Sequence, residues 1–600
     1  MSEHVENMKN TEDNIKEETD QKPGKWKNRK RILPSVLISI SIPLILCIAI
    51  PFEIYSTNMQ EFLFDIWDFL PICFAFGVAL AAVILLVLLF VPERLYKIFS
   101  LIVLAFALLL FIQGNYLNAG MNSLEGDRLI SGGASTGTKI INLFVWFVLI
   151  GGAVGVSFIK DKRGIVGIVS IVLAIIVIIA HLVIPVFAII SIDNVFMSKE
   201  DKLAGGSSTN LAQFTSTKNL TTLSSTSNIF YFVIDRFDEY YAEEVDKSDP
   251  ELFKSLEGFT QFKDNISLYG RTFPSVPYML TNYRYDVSLY KEENHNKAYE
   301  VNTTLKTLHE NEYKINIFGE RKSDYNEANN LPDYVENVSD VYKYKVDNPV
   351  LLSLYMICYA VYRCSPLIIK PIYSGVNSVS CNLLVSMRDA EGYVNYSPDN
   401  EEALKLVKGS PFKVTDEKIF SFIHFDGCHS VNIDYKNGTA HPSSKQVKKI
   451  IKSTKECFEI INLYIAELKK IGAYKNATII ITGDHGAAGS DTTKVTSSKL
   501  TALFVKPSGS DEGFKLSDAQ VTHNNIWPMI MQSENIRTDE DFGTSLFDID
   551  EHENRVREFI LQAYTRDTLD EYYYEIKGKG SNFDNWEYVK TLHADKYLMG

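Results

Sequence analysis

The chain has 600 residues, with 74 acidic side chains against 60 basic ones and a formal net charge of −14. A chain of this length exceeds what one hydrophobic core organises, so at least two structural units are expected, and the acidic excess argues against a nucleic-acid partner. Its seven cysteines make no disulfide framework; Cys47 and Cys73 fall inside apolar runs, while Cys358 and Cys364 either pair across a short loop or are simply buried.

The chain opens on a polar tail, residues 1–31, that turns basic at "KWKNRKR". Five long apolar runs follow within residues 32–191: "ILPSVLISISIPLILCIAIPF", "FLPICFAFGVALAAVILLVLLFV", "IFSLIVLAFALLLFIQG", "IINLFVWFVLIGGAVGVSFI" and "GIVGIVSIVLAIIVIIAHLVIPVFAII". Each is close to the ~20 residues that a helix needs to cross a bilayer. No small-residue cleavage site follows the first, so it reads as a retained anchor and not as a signal peptide. Lys and Arg collect in the tail, in "PERLYK" and in "KDKRG", and are scarce in the alternate loops. By the positive-inside rule the tail is cytoplasmic, and five crossings leave residue 192 onward outside the cell membrane. His181, ~25 Å along the fifth run by helical rise, reads as a neutral histidine near the outer interface.

Residues 192–227, rich in Ser, Thr and Asn, read as a loose tether. A folded domain is expected over residues 228–548. Short β-rich runs, "NIFYFVI", "YKINIFG", "KIFSFIHF", "ATIIIT" and "LTALFV", are its strand candidates. The stretch "SSKQVKKIIKSTKECFEIINLYIAELKKIG" places Val447, Ile450, Ile451, Ile461, Tyr464, Ile465 and Leu468 on one helical face, with Gly472 as its stop. Strands alternating with helices predict an α/β domain with a largely parallel central sheet. The apolar segment 349–362 is short for a span and suits a buried or interfacial helix on the outer side. Residues 549–600 form a C-terminal extension without a readable role.

Polar groups gather directly after the strand candidates: Asp235 ends "FYFVI", His424 and Asp426 follow "IFSFI", and Asp484 with His485 follow "ATIIIT" and a glycine. In an open α/β sheet the loops at the carboxyl ends of the strands converge on the ligand site. Divalent metals take carboxylate oxygen and imidazole nitrogen. Asp235, Asp484 and His485 supply that set and leave a fourth position for a hydroxyl, which ionises more readily beside a metal and becomes a nucleophile. These donor types fit one divalent ion, Zn or Mn, better than Mg or Ca.

In this order of acid, hydroxyl loop, histidine loop and Asp-His pair, the outer domain resembles the sulfatase-like branch of the alkaline phosphatase superfamily. With five spans before it, the layout also resembles membrane phosphoethanolamine transferases and the lipoteichoic acid synthase group. The resemblance implies a five-helix transmembrane domain followed by an α/β alkaline-phosphatase/sulfatase-like domain. In "GRTFPSVPYMLTN" the sulfatase pattern C-x-P-S-R reads T-F-P-S-V, and the transferase pattern T-x-x-S-V-P selects the same residue, which puts the nucleophile, and the fourth metal ligand, at Thr272. Ser275 is the other hydroxyl there, one turn further on. A helix start stabilises an anionic group, Pro274 suits the first turn, and Thr272 is equally suited to cap the helix.

Position 272 has no cysteine and Val276 stands where sulfatases carry arginine, so formylglycine is not expected, and phosphoryl transfer through a phosphothreonine-type intermediate fits better. "HFDGCHS" resembles the transferase segment H-x-x-G-S-H-G-P, with Cys428 and Ser430 replacing its serine and second glycine. By that match His429 binds the transferring group or protonates the leaving oxygen, with His424 behind it. The further histidine of the transferases has no counterpart after "GDHG"; Lys494, Lys499 and His523 stand nearest and remain unassigned. Arg236 and Arg271 either steer an anion or face solvent. The implied activity moves a phosphoethanolamine- or phosphoglycerol-type substituent from a membrane lipid donor to a surface polysaccharide or glycolipid. The alternative is hydrolysis of sulfate or phosphate esters by the same site.

Overall fold

The computed structural model describes residues 24–59, 62–118, 135–159, 164–191, 195–196, 213–320, 324–325, 328–373, 381–382, 384–431, 433–436, 439–487, 493–564 and 568–594. Most of the tail, residues 1–23, and residues 192–194 and 197–212 of the expected linker lie outside the described residues. The chain divides into two units, Met1–Thr209 with Lys343–Ser386, and Asn210–Tyr342 with Met387–Gly600.

In the first unit five helices are long and apolar enough to cross a membrane, in the five expected places: α1 (Arg31–Thr57), α2 (Ile66–Phe90), α3 (Leu95–Asn115), α4 (Thr136–Ser157) and α5 (Ile165–Phe187). Phe74, Val83, Phe144 and Phe147 are exposed on them, an arrangement that suits contact with lipid tails and is unfavourable against water. Segment 349–362 forms the 16-residue helix Pro349–Cys364, which belongs to this unit. Ser353 Oγ donates to Phe69 O (3.1 Å), Arg363 Nη2 pairs with Glu53 Oε1 (2.9 Å), and Asn118 Nδ2 donates to Arg363 O (2.9 Å). These partners lie at the end of α1, the start of α2 and just past α3, so the helix packs at the end of the bundle away from Glu93. His181 is buried, its Nδ1 2.8 Å from Val177 O and its ring edge-on to Phe111. All seven cysteines are free, Cys358 and Cys364 included.

The second unit is built on a seven-stranded sheet. Its strands are β1 (Asn228–Ile234), β2 (Thr260–Ile266), β3 (Tyr313–Phe318), β4 (Lys418–Phe425), β5 (Ala477–Thr482), β6 (Leu503–Lys506) and β7 (Lys515–Thr522), in the spatial order β7-β2-β6-β5-β1-β4-β3. Only β6 runs antiparallel to its neighbours; every other pairing is parallel. The five strands expected from the sequence are present, and β2 and β7 are additions. β2 reads "TQFKDNI" and was invisible to an apolar pattern, because its Asp264 and Asn265 are buried against polar partners: Arg557 bonds Asp264, and Asn265 Nδ2 donates to Thr501 Oγ1 (2.6 Å).

Both faces of the sheet are covered, so β1 is buried at every position and apolar from Ile229 to Ile234 apart from the Tyr231 hydroxyl. Successive side chains of a strand point to opposite faces. Phe230, Phe232 and Ile234 share a core with α7 (Ser444–Lys470), whose Tyr464 meets Phe230 edge-to-face at 5.1 Å. Ile229, Tyr231 and Val233 share the other core with Met279 and Leu280 of α6 (Thr272–Thr281). α7 begins where its capping box lies, Ser443 with Gln446, and stops at Gly472 with φ +74°.

Residues 213–227, read as tether, instead carry the strands Gln213–Thr215 and Thr222–Ser224, which pair with Val338–Asp340 and Lys413–Thr415. Their hydroxyls bond into the domain, as Thr215 Oγ1 does with Tyr325 Oη (2.9 Å), so a Ser/Thr-rich composition is here consistent with ordered structure. The C-terminal extension is folded too. β8 (Val556–Tyr564), β9 (Leu569–Lys577) and β10 (Trp586–Ala594) form an antiparallel sheet in the second unit.

Candidate active site

Three adjacent parallel strands deliver the centre of the site. The register sets both Thr482 of β5 and His424 of β4 opposite Val233 of β1, so Asp235, His424 and Asp484 emerge at one level at the carboxyl edge. One ligand atom from each lies within 4.8 Å of the other two, and all three residues are buried. Asp484 is held by the backbone: the Arg236 N–H donates to its Oδ1 (2.8 Å), from a residue in the left-handed region at φ +56°, a conformation unfavourable for a side chain of this size and so imposed by its surroundings. Gly483 is needed to bring Asp484 in, since a Cβ there would stand 2.4 Å from Phe237 O.

Thr272 is the first residue of α6, and its Oγ1 lies 3.4 Å from His485 Nε2. The Nδ1–H of His485 donates to Gly486 O (2.7 Å), which leaves Nε2 as the acceptor facing that hydroxyl. His485 Nε2 is in turn 3.6 Å from Asp484 Oδ2. Ser275 is fully engaged elsewhere. It is buried and its Oγ donates to Asp484 O (2.6 Å), so it pins α6 to the Asp-His loop.

His429 sits on the turn after β4 with its Nδ1 2.9 Å from Asp235 Oδ2 and 61% of its side chain exposed. His424 does more than stand behind it. Its Nδ1–H donates to Asp324 Oδ2 (2.8 Å), which turns Nε2 toward Asp235 and Asp484. Asp324 is fully buried and is in turn held by the Glu320 N–H (2.7 Å). It lies in the loop after β3, six residues past the strand end and inside no motif; only the rule that strand-end loops converge points to that loop, and it does not choose Asp324. Lys499 is taken up by Ala487 O and Ser497 Oγ (2.7 Å each) and Lys494 is exposed. His523 is buried beneath the sheet edge, with Nε2 3.3 Å from Thr482 Oγ1.

Whether a divalent ion fits is decided by buried polar atoms that have no hydrogen-bond partner. Asp235 Oδ1, Asp484 Oδ2 and His424 Nε2 are all of this kind, and such groups are strongly unfavourable unless something ligates them. The donor set, two carboxylates and an imidazole oriented by a carboxylate, is one that Zn or Mn accepts. Without an ion the charges are out of balance. Burial, then the neighbouring Asp484 carboxylate, push the Asp235 carboxyl up to about 7. Burial opposes a charged His424, but the Asp324, Asp235 and Asp484 carboxylates together outweigh it and raise the imidazole to about 10. The hydrogen bond to Asp235 raises His429 to about 9. Ligation requires Asp235 ionised and His424 Nε2 unprotonated. Metal binding therefore releases protons near neutral pH, and affinity rises with pH as those protons are lost. Calorimetric titrations from about pH 6 to about pH 8 in buffers of different protonation enthalpy should show both effects, and a pH-independent affinity would contradict the ligand set.

A sheet with both faces covered, with carboxylates and histidines at its carboxyl edge and a hydroxyl at a helix start, makes an α/β domain with a candidate metal site. The family model described as Sulfatase matches residues 227–534, and the chain belongs to the sulfatase family, in the superfamily that the sequence motifs resemble. No curated protein sequence matches the chain closely enough to count as a relative. Among solved structures, lipoteichoic acid synthase LtaP from Listeria monocytogenes is similar at 10% identity over 61% of this chain and 87% of that one, with a TM-score of 0.34. The PsFucS1 sulfatase from Pseudoalteromonas sp. is similar at 12% identity over 62% and 84%, with a TM-score of 0.34. A protein of the alkaline phosphatase superfamily from Vibrio parahaemolyticus is similar at 12% identity over 64% and 81%, with a TM-score of 0.32. At these scores the likenesses add nothing to the family assignment.

Proposed function

We propose that the protein is a membrane-anchored phosphotransferase that moves a phosphoethanolamine- or phosphoglycerol-type substituent from a membrane lipid to a cell-surface glycan or glycolipid. The observation that carries this reading is the Thr272 hydroxyl at the start of α6, 3.4 Å from His485 Nε2. A threonine cannot mature to formylglycine, so the hemiacetal route to sulfate release is closed, whereas a phosphothreonine ester is a workable intermediate. Asp235, Asp484 and His424, with Thr272 and His485 beside them, would hold one divalent ion, Zn or Mn. Such an ion supplies positive charge that eases ionisation of a hydroxyl and offsets charge on the transferring phosphorus group.

In the first step Thr272 Oγ, its proton released to solvent, attacks the lipid phosphorus; the Oγ–P bond forms and the bond from phosphorus to the diacylglycerol oxygen breaks. His429, protonated at neutral pH through its bond to Asp235, gives its proton to that oxygen. In the second step the acceptor hydroxyl loses its proton to the now neutral His429, its oxygen bonds phosphorus, the Oγ–P bond breaks, and the departing Oγ takes a proton back from solvent, restoring Thr272. The positive end of the α6 dipole favours the anion at Thr272 throughout. The five membrane helices bring the site to a lipid donor, and the basic tail and loops favour a cytoplasmic N-terminus with the catalytic domain outside.

Hydrolysis of a sulfate or phosphate ester is the second reading, favoured by the open position of His429, which is as well placed to serve water as a sugar hydroxyl. Product analysis separates the two. Full-length protein in detergent, loaded with Mn or Zn and given headgroup-labelled phospholipid, should release diacylglycerol only with the label retained on protein or glycan. Free labelled headgroup phosphate, or sulfate from an aryl sulfate, would establish the hydrolase instead.

A further inference from the structure

Residues 365–373 follow helix Pro349–Cys364 within the first unit and invert the polarity expected of a segment in water. Ile368 is 54% exposed and Ile372 77%, with Ile369 exposed beside them, whereas Lys370 is fully buried. The lysine amine turns back to the end of the helix. Its Nζ donates to Tyr362 O (2.5 Å) and Arg363 O (3.0 Å) and lies 4.6 Å from the centre of the Tyr362 ring. Ser365 Oγ donates to Val361 O (2.6 Å), and Asn118 Nδ2 adds a second bond to Arg363 O (2.9 Å). The last four carbonyls of a helix have no donor within it, and water ordinarily serves them. Here side chains serve those of Val361, Tyr362 and Arg363. Isoleucine turned out and lysine turned in is the reverse of what water selects. It is what lipid requires, since there the polar backbone must be satisfied within the protein and a cation faces inward onto carbonyls.

Hydrogen bonds to the bundle set the level of this segment. The Leu367 N–H donates to Asn142 Oδ1 (3.1 Å) on α4. Asn142 is the third residue past Lys139, the charged side chain at the start of that helix, and so stands ~5 Å along it by helical rise. Ile140 and Ile141, next to Asn142 in the chain, are exposed on α4. At the other end of helix Pro349–Cys364, Cys73 Sγ donates to Ser353 O (3.5 Å), five residues past Asp68 of α2, ~8 Å along by the same rise. Both depths fall inside the ~15 Å that one leaflet of hydrocarbon provides. We propose that residues 365–373 are a shallow membrane-inserted loop, with Ile368, Ile369 and Ile372 set among phospholipid acyl chains at the level of Ile140 and Ile141. Residues 343–386 leave the sheet domain's chain between β3 and β4, so the loop gives that domain a second tie to the bilayer besides the chain that follows α5. The inference rests on reading the five long helices as membrane spans and is independent of the reaction catalysed.

The probe is a phosphatidylcholine that carries a photoreactive diazirine on one acyl chain. Full-length native protein in nanodiscs containing this lipid is irradiated, and the labelled residues are located by mass spectrometry. Labelling of residues 366–373 should come within about threefold of that on Ile140 and Ile141, and exceed by about tenfold that on Val414 and Leu516, comparably exposed apolar side chains of the second unit. Labelling of residues 366–373 nearer to the level of Val414 and Leu516 overturns this inference alone, whether the isoleucines stand in water or are covered by a second copy of the chain or by another protein surface. Ile140 and Ile141 unlabelled as well overturn the reading of membrane spans and the inference with it.

Discussion

Thr272→Ala should lower turnover by about four orders of magnitude or more, the scale seen when a covalent nucleophile is removed, while leaving the fold intact. The side chain is half-buried at the first position of α6 and its methyl group packs no core. What is lost is the oxygen 3.4 Å from His485 Nε2. The intact mass of the protein after exposure to membrane lipid reads the same event directly: the native chain should carry one phospho-substituent and the variant none. Ser275→Ala is the informative companion. Ser275 Oγ bonds Asp484 O at 2.6 Å, so its loss should reduce stability by about 1–3 kcal/mol through the freed buried carbonyl and preserve the adduct. An adduct that survives in Thr272→Ala and disappears in Ser275→Ala would reverse the assignment of the nucleophile.

His424→Ala should weaken metal binding by more than about a hundredfold, and Asp324→Asn by about ten- to a hundredfold, the range typical when the partner of a ligating histidine is removed. Donor types at the strand ends named Asp235, Asp484 and His485 as ligands, the motif resemblance added Thr272, and His424 was left behind them. The structure groups Asp235, His424 and Asp484 within 4.8 Å and leaves His424 Nε2 buried without a hydrogen bond. Thr272 lies beside His485, whose Nε2 is 3.6 Å from Oδ2 of the same Asp484. X-ray absorption of the metal-loaded protein should therefore count two imidazoles, and one in His424→Ala. A native protein with a single imidazole, and a His424→Ala variant of unchanged affinity, would return His424 to a purely supporting place.

Much of this architecture was legible from residue patterns because the strongest signals are local. A bilayer demands a long uninterrupted apolar helix, and the five runs satisfy it one by one. Strands buried on both faces are largely apolar, which is how β1, β4 and β5 declare themselves, and the residues at or just past their ends, Asp235, His424 and Asp484, inherit a place at the carboxyl edge. The motif around Thr272 is equally local, since a hydroxyl and a proline at a helix start are neighbours in the chain.

What stayed hidden depends on partners distant in sequence. β2 carries Lys263, Asp264 and Asn265 and shows no strand pattern; it is a strand because Arg557 and Thr501 satisfy its buried polar groups from 293 and 236 residues away. Asp324 has no motif, and its part in the site exists only because β3 lies beside β4 and turns it toward His424. The extension was silent because it is joined to the domain by two main-chain bonds to residues 268 and 270, and backbone groups are the same in every residue. The sequence by itself determined the membrane helices, the parallel sheet and the candidate chemistry at its edge, each written in side chains whose environment is set by near neighbours. Only the tertiary structure decided that His424 joins Asp235 and Asp484, that Asp324 orients it, and that the last strands bond to the chain just before Thr272. Those facts are distances between chain segments, and burial makes a polar group depend on whichever segment comes to meet it.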